Sequence, residues 1–372
     1  MAALATAHEG GRPDWATHPG EHLAEYIETR GWSQAEFGRL SGLSPKHVST
    51  LVKGTNPVTP ETAIRLERVL GLKADVWLNL QSNWDLFRAR ADEKSSPDAK
   101  TWLTRFPIKE LRQRGYLPQT KDEGALFDAV LAFLGVGNPG GYEAKIGALA
   151  VHHRQAKAHT SDPDHVFAWL TLGERRARRL DLPRFDADRF QGAIAEIRAL
   201  TIEEPEVFAP RMTELCRQAG VALIFEPAIS KTCLYGSARW LDADRAIIQM
   251  SLRMKYNDHF WWTFFHEAAH VSLHRGRNFA DDQNGVGDGV ESEADTWAAD
   301  MLVSRDEFAR FKTKRPLSKT RVTAFAERVG LHPGIVVGML QHDRAIPYTH
   351  MYDLKARFEW APQPSKQDAE AS

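Results

Sequence analysis

Apolar residues recur along this chain with two different periods, and the change between them falls near residue 200. From 19 to 90 the spacing is helical, in short segments broken by Gly, Ser and Pro, with no strand-like alternation. The stretch ADEKSSPDAK (91–100) is polar, charged and proline-containing, which predicts a linker. Helical spacing resumes from 101 to about 200, through FDAVLAFLGV and HVFAWLTLGERRARRL. Beyond 200, GVALIFEP (220–227) and RAIIQMS (245–251) are short β-branched runs, with a turn glycine in LYGSARWL between them, so a small sheet is expected. A helix is predicted from Asn257 to Arg275, stopped by Gly276, with others at ESEADTWAADML (291–302) and TRVTAFAERVG (320–330). The expected organisation is multidomain: a flexible tail (1–18), an all-α domain (19–90), a linker and helical connector (91–204), an α+β domain (205–345) and a C-terminal extension (346–372).

Within the all-α domain, Ser33 is placed to cap a helix whose apolar positions are Ala35, Phe37 and Leu40, and Gly42 permits a tight turn after it. Ser44 and Pro45 then begin a second helix. Its apolar residues Val48, Leu51 and Val52 face inward, leaving Lys46, His47, Ser49, Thr50 and Lys53 outside. Reading a major groove needs short polar side chains near a helix N-terminus and lysines for phosphate, which this surface supplies. An ordinary helical hairpin remains the alternative, because residues 19–90 hold nine Lys and Arg against eight Asp and Glu. Positive charge is nevertheless local, with two lysines and no acid between 44 and 53. The segment from Pro19 to Asp85 resembles the XRE/Cro family of helix-turn-helix domains, nearest to HigA antitoxins. Gly20, Leu23, Ser33, Gln34, Phe37, Gly42, Leu43, Ser44, Val48, Gly54, Leu66, Gly71, Trp77 and the run QSNWDL carry the likeness. It implies a lambda-repressor-like fold and a homodimer on a double-stranded DNA operator, with Gln34 touching phosphate.

In the α+β domain, HEAAH places His266 and His270 on one helical face, where two imidazoles can reach one tetrahedral ion. Glu267 lies one step round. Hydrolysis needs a carboxylate beside metal-bound water, and Glu267 is placed for that role. The five residues alone are as compatible with chance as with a site, so a third ligand decides. Glu291 shares a face with Ala294, Asp295 and Ala298, the small side that would meet the first helix, and is preferred over Glu293. Asp295 is placed to accept a hydrogen bond from a ligating histidine. His274, one turn past His270, is a candidate oxyanion stabiliser or supporting donor, with a plain surface histidine as the alternative. The aromatic run FWWTFF (260–265) reads as core, Cys233 as a structural thiol before a metal ligand, and RRARR (175–179) as a solvated helical face before a DNA contact. Residues 205 to about 345 are similar to ImmA/IrrE-family metallopeptidase domains. The likeness rests on GSARWL, AIIQMSLRMK, FWWTFFHEAAHVSLH, the ExEADxxAxxML helix and HPGIVVGMLQH. It implies a compact zincin-like fold with Zn²⁺ held by His266, His270 and Glu291, and Glu267 as general base. Ala269 departs from the family, where glycine usually precedes the second histidine; the extra methyl affects packing and removes no ligand.

Composition narrows the classes left open. At 42% hydrophobic and 26% charged, with no apolar run near ~20 residues, the chain reads as soluble, without a membrane span. Two cysteines, Cys216 and Cys233, suit a reducing cytoplasm. A net charge of −1 means that any affinity for nucleic acid must come from a local patch. The leading expectation is a DNA-binding regulator whose zinc peptidase domain cleaves a repressor or toxin partner, with an extended substrate added at a sheet edge and His274 helping at the oxyanion. The competing expectation is a non-enzymatic antitoxin-like repressor whose second domain senses a signal or binds a partner. A stand-alone protease fits the helix-turn-helix residues poorly.

Overall fold

The computed structural model describes residues 16–94, 97–153, 161–274 and 288–360. Most of the expected tail, the C-terminal extension beyond 360, residues 95 and 96 of the expected linker and the Gly276 helix stop lie outside the described residues. The chain divides into two compact units: Met1–Thr101 with Lys121–Phe127, and Trp102–Thr120 with Asp128–Ser372.

Five helices build the first unit: α1 (Pro19–Thr29), α2 (Gln34–Ser41), α3 (Pro45–Val52), α4 (Pro60–Leu70) and α5 (Ala74–Lys94). Each boundary has a local cause. Ser33 and Glu36 form a reciprocal capping box at the start of α2, and Gly42 ends it in the left-handed region at φ 68°. Ser44 caps α3 ahead of Pro45, and Thr59 caps α4 ahead of Pro60. The core joins Leu23, Ile27, Phe37, Val48, Leu51, Leu66 and Trp77. Gly20 brings α1 onto the end of α3, since a Cβ there would sit 2.1 Å from the Leu51 carbonyl oxygen. Gln81 holds the loop before α4 by accepting from the Val58 amide. Phe37, Gly38 and Ser41 are the buried residues of α2, while Ala35 and Leu40 are exposed. One expectation changes. Helix α5 continues to Lys94 and helix resumes at Pro97, so the stretch read as a linker is largely helical. Its Ala, Glu and Lys are good helix formers, a propensity that a polarity count hides.

Along the rest of the chain follow α6 (Pro97–Leu103), α7 (Ile108–Gln113), α8 (Glu123–Leu134), α9 (Pro139–His153), α10 (Pro163–Ala177), α11 (Ala187–Ala199) and α12 (Pro205–Gln218). Strands β1 (Val221–Phe225), β2 (Gly236–Asp242) and β3 (Arg245–Met250) precede α13 (Asn257–Leu273), α14 (Asp288–Leu302), α15 (Arg305–Thr313), α16 (Lys319–Val329) and α17 (Pro333–His342). The sheet order is β1-β3-β2, with β1 parallel and β2 antiparallel to β3. GSARWL, read only as a turn region, is therefore a strand. Its glycine has ordinary φ and serves close approach, as shown below.

Both sheet faces are covered, which explains why β1 and β3 read as unbroken apolar runs. Val221, Leu223, Ala246 and Ile248 face the main core with α11, α12 and α13, while Ala222, Ile224 and Ile247 meet Ala177 of α10. Helix α10 is thus part of the second unit's core. Its RRARR end is used structurally: Arg176 pairs with the buried Glu226 at 2.9 Å, and Arg178 with Glu174 one turn earlier. FWWTFF supplies core, with Phe260, Trp261, Phe264 and Phe265 all buried.

The N-terminus of α13 is clasped by the segment 355–358. Asn257 donates its amide to the Ala356 carbonyl at 2.9 Å, and Lys355 Nζ meets Asp258 Oδ2 at 2.6 Å with both side chains under 10% exposed. A buried charge left alone costs far more than the pair gives. Lys355→Met is expected to destabilise the second unit by about 3–5 kcal/mol in urea unfolding, and the double replacement Asp258→Leu, Lys355→Met to recover most of that loss.

Candidate metal centre and recognition helix

Helix α13 carries His266 and His270 one turn apart, and α14 brings Glu291 to them. His266 Nε2 lies 3.1 Å from His270 Nε2 and 3.2 Å from Glu291 Oε2, and His270 Nε2 lies 3.6 Å from Glu291 Oε1. All three donor atoms fall within 4.8 Å of one another. A tetrahedral zinc with ligand distances near ~2.05 Å has donor separations of about 3.3 Å, so this donor set fits that ion.

The far nitrogens are also engaged. His266 Nδ1 meets Asp295 Oδ1 at 3.0 Å, and His270 Nδ1 meets His274 Nδ1 at 3.0 Å. His274 Nε2 in turn faces Glu293 Oε2 at 3.4 Å. If His270 ligates through Nε2, its Nδ1–H donates to His274, whose own Nε2–H then points at Glu293. Two alternatives therefore close. His274 is 2% exposed and lies on the Nδ1 side of His270, away from the converging nitrogens, so it is not a surface histidine. Glu293 serves His274 and stands outside the ligand group. Cys233, in the loop before β2, is likewise outside that group. Ala269 is fully buried, and its methyl is accommodated within the core of α13.

Glu267 is 8% exposed beside the pair. Burial pushes its carboxyl above the usual range, while His266, His270 and a hydrogen bond from the Ala238 amide pull the other way. Gly236 at the start of β2 makes this possible. A Cβ at that position would lie 2.7 Å from Thr263 Cγ2 and 2.9 Å from Glu267 Oε1. Neither Gly236 nor the Ala238 amide was legible as a site feature, because glycine in sequence signals a turn as readily as a close approach.

Three carboxylates surround the two imidazoles. Burial draws the His266 value down, but hydrogen bonds to Asp295 and Glu291 and the nearby Glu267 outweigh it and lift the ring to about 10. Hydrogen bonds from both histidines hold Glu291 far below the ordinary carboxylate range. Such a cluster is short of positive charge, the condition that a bound cation relieves.

In the first unit, Gln34 stands exposed at the start of α2, and Lys46 and Lys53 are exposed on α3. His47, Ser49 and Thr50 are half-buried. Ser44 is occupied as the cap, accepting from the His47 amide at 3.2 Å, and Thr50 Oγ1 donates to the His47 carbonyl at 2.9 Å. Lys46, Lys53, Gln34 and Ser49 are the groups left pointing outward or unspent.

Residues 23–77, within the first unit, match the helix-turn-helix family. Virulence-associated protein I of Dichelobacter nodosus is 37% identical over 81 residues, 22% of this chain and 75% of that protein. The chain belongs to the helix-turn-helix family. Another relative is the uncharacterized HTH-type transcriptional regulator YddM of Escherichia coli, 38% identical over 71 residues, which are 19% of this chain and 76% of that protein. A solved structure from Nostoc punctiforme, described as an antidote protein of a plasmid maintenance system, is 33% identical over 21% of this chain and 87% of its own, with a TM-score of 0.21. No described helix is long and apolar enough to cross a membrane.

Overpacking at Gly236 tests the close approach. Gly236→Ala is expected to lower stability by about 1–3 kcal/mol, measured by chemical unfolding of the second unit, because Thr263 and Glu267 must both move.

Proposed function

We propose that this chain is a DNA-binding regulator whose second unit is a zinc-dependent, ImmA/IrrE-like peptidase domain of the zincin type. The observation that carries the peptidase reading is the convergence of His266, His270 and Glu291 within 4.8 Å, with Glu267 buried against them. His266, His270 and Glu291 would hold the ion. Zinc in such a site acts as a Lewis acid and lowers the pKa of bound water to about 7. Glu267 would take and return a proton at its carboxylate, and its burial raises the proton affinity of that group. Asp295 and the His274–Glu293 pair orient the two imidazoles. The substrate class is a protein segment in extended form, lying beside β2.

The DNA reading rests on the helix-turn-helix family, on the acid-free surface of α3 and on the regulator named among the relatives. We place Lys46 and Lys53 on phosphate, Gln34 on phosphate at the start of α2, and Ser49 toward base edges, in a homodimer on an operator. A second reading is an antitoxin-like repressor that binds a protein partner without cutting it.

Lys46→Ala with Ser49→Ala is expected to weaken operator binding by about 1–3 kcal/mol in footprinting. Unchanged protection removes α3 as the reading helix. Metal analysis of the purified chain is expected to find one zinc per molecule, lost in His266→Ala and in Glu291→Ala and retained in Glu267→Gln. In cells, a protein that accumulates only with Glu267→Gln identifies the substrate. Zinc retention with no accumulating protein favours the partner-binding reading.

A further inference from the structure

Between the start of β2 and the N-terminal half of α13, toward the metal centre, the surface forms a shallow depression open to solvent. Tyr235 and Met254 line it and are 46% and 40% exposed. The Tyr235 ring stacks on His259 at 6.3 Å, and the Arg253 guanidinium lies 5.5 Å from the same ring centre. Lys255 completes the rim. The acid nearest the rim on α13, Asp258, is already engaged by the buried Lys355, so the depression presents positive charge.

Part of its lining, and the loop that leads to it, hold backbone in a costly conformation. Leu252 and Lys255 on one side have φ of 51° and 53°, and Lys231 and Cys233 in the loop leading to Tyr235 have φ of 61° and 51°. Of the non-glycine residues with positive φ among the described residues, only Arg344 and Met351 lie elsewhere. Strain of this kind, of order 1 kcal/mol or more per residue, persists where surrounding structure enforces it and clusters at ligand sites. Thr263 belongs to both places, lining the depression and touching the point where Gly236 meets Glu267.

We propose that this depression is a substrate subsite for an Asp or Glu side chain, with its methylenes on Tyr235 and Met254 and its carboxylate toward Arg253 and Lys255. The assignment rests on the peptidase reading. At ~1.5 Å rise per residue, Thr263 and His259 lie about 6 and 12 Å back along α13 from Glu267. An extended peptide advances ~3.3 Å per residue, so the acidic residue falls about three residues from the bond that is cut.

The test maps new protein termini in cell lysate treated with the zinc-loaded full chain, with Glu267→Gln as the control. Sites made only by the wild type are expected to carry Asp or Glu about three residues from the cut. The charge-reversed variant Arg253→Glu, Lys255→Glu is expected to lose at least roughly tenfold in rate at those sites. Cleavage without acidic enrichment there, or cleavage that a folded reversed variant performs equally well, overturns the subsite and leaves the peptidase reading standing. No site above the Glu267→Gln control overturns both. If the reversed variant does not fold, the composition of the wild-type sites decides alone.

Discussion

A carboxylate on one helix can complete a two-histidine face on another only if the two backbones come close, and that closeness depends on what lies between them. Here α13 and α14 pack together, and Ala268 and Ala269 on the first and Ala294 and Ala298 on the second are all fully buried. Small side chains let helices approach at the short end of the usual ~8–10 Å range. Glu291 then reaches both Nε2 atoms while Asp295, one turn on, reaches the opposite nitrogen of His266.

Helix α13 is in turn held from three sides. The sheet lies along one, with β2 near enough at Gly236 to press on Glu267. Helix α17 approaches another through Gly338, where a Cβ would fall 2.5 Å from Asp258. The 355–358 segment closes the N-terminal end by backbone hydrogen bonds and the buried Lys355–Asp258 pair. Glu267 gains from this rigidity and also carries a cost, because burial raises the energy of its charged form. Reactive carboxylates are commonly kept in that condition.

In the first unit, local chemistry and tertiary structure agree closely. Ser33 with Glu36, Gly42, Ser44 with Pro45 and Gly71 each act within a few residues, through capping bonds or left-handed backbone, so their effect is legible from the chain alone. The 91–100 stretch is largely helical, because charge and one proline say less about helix than the propensities of Ala, Glu and Lys do.

The sequence by itself determined the two reading frames of this protein: a capped, tightly turned helix pair near one end, and a histidine pair at helical spacing with an acidic helix to follow. Those are properties of neighbours four residues apart or fewer, and helix geometry transmits them directly. Tertiary structure decided which acid joins the histidines, why Glu293 serves His274 instead, and that His274 is buried behind His270. It also turned an apparent loop into β2 and gave Gly236 its purpose beside Glu267. Each of those outcomes depends on the distance between segments far apart in the chain, and side-chain volume at their contact sets that distance.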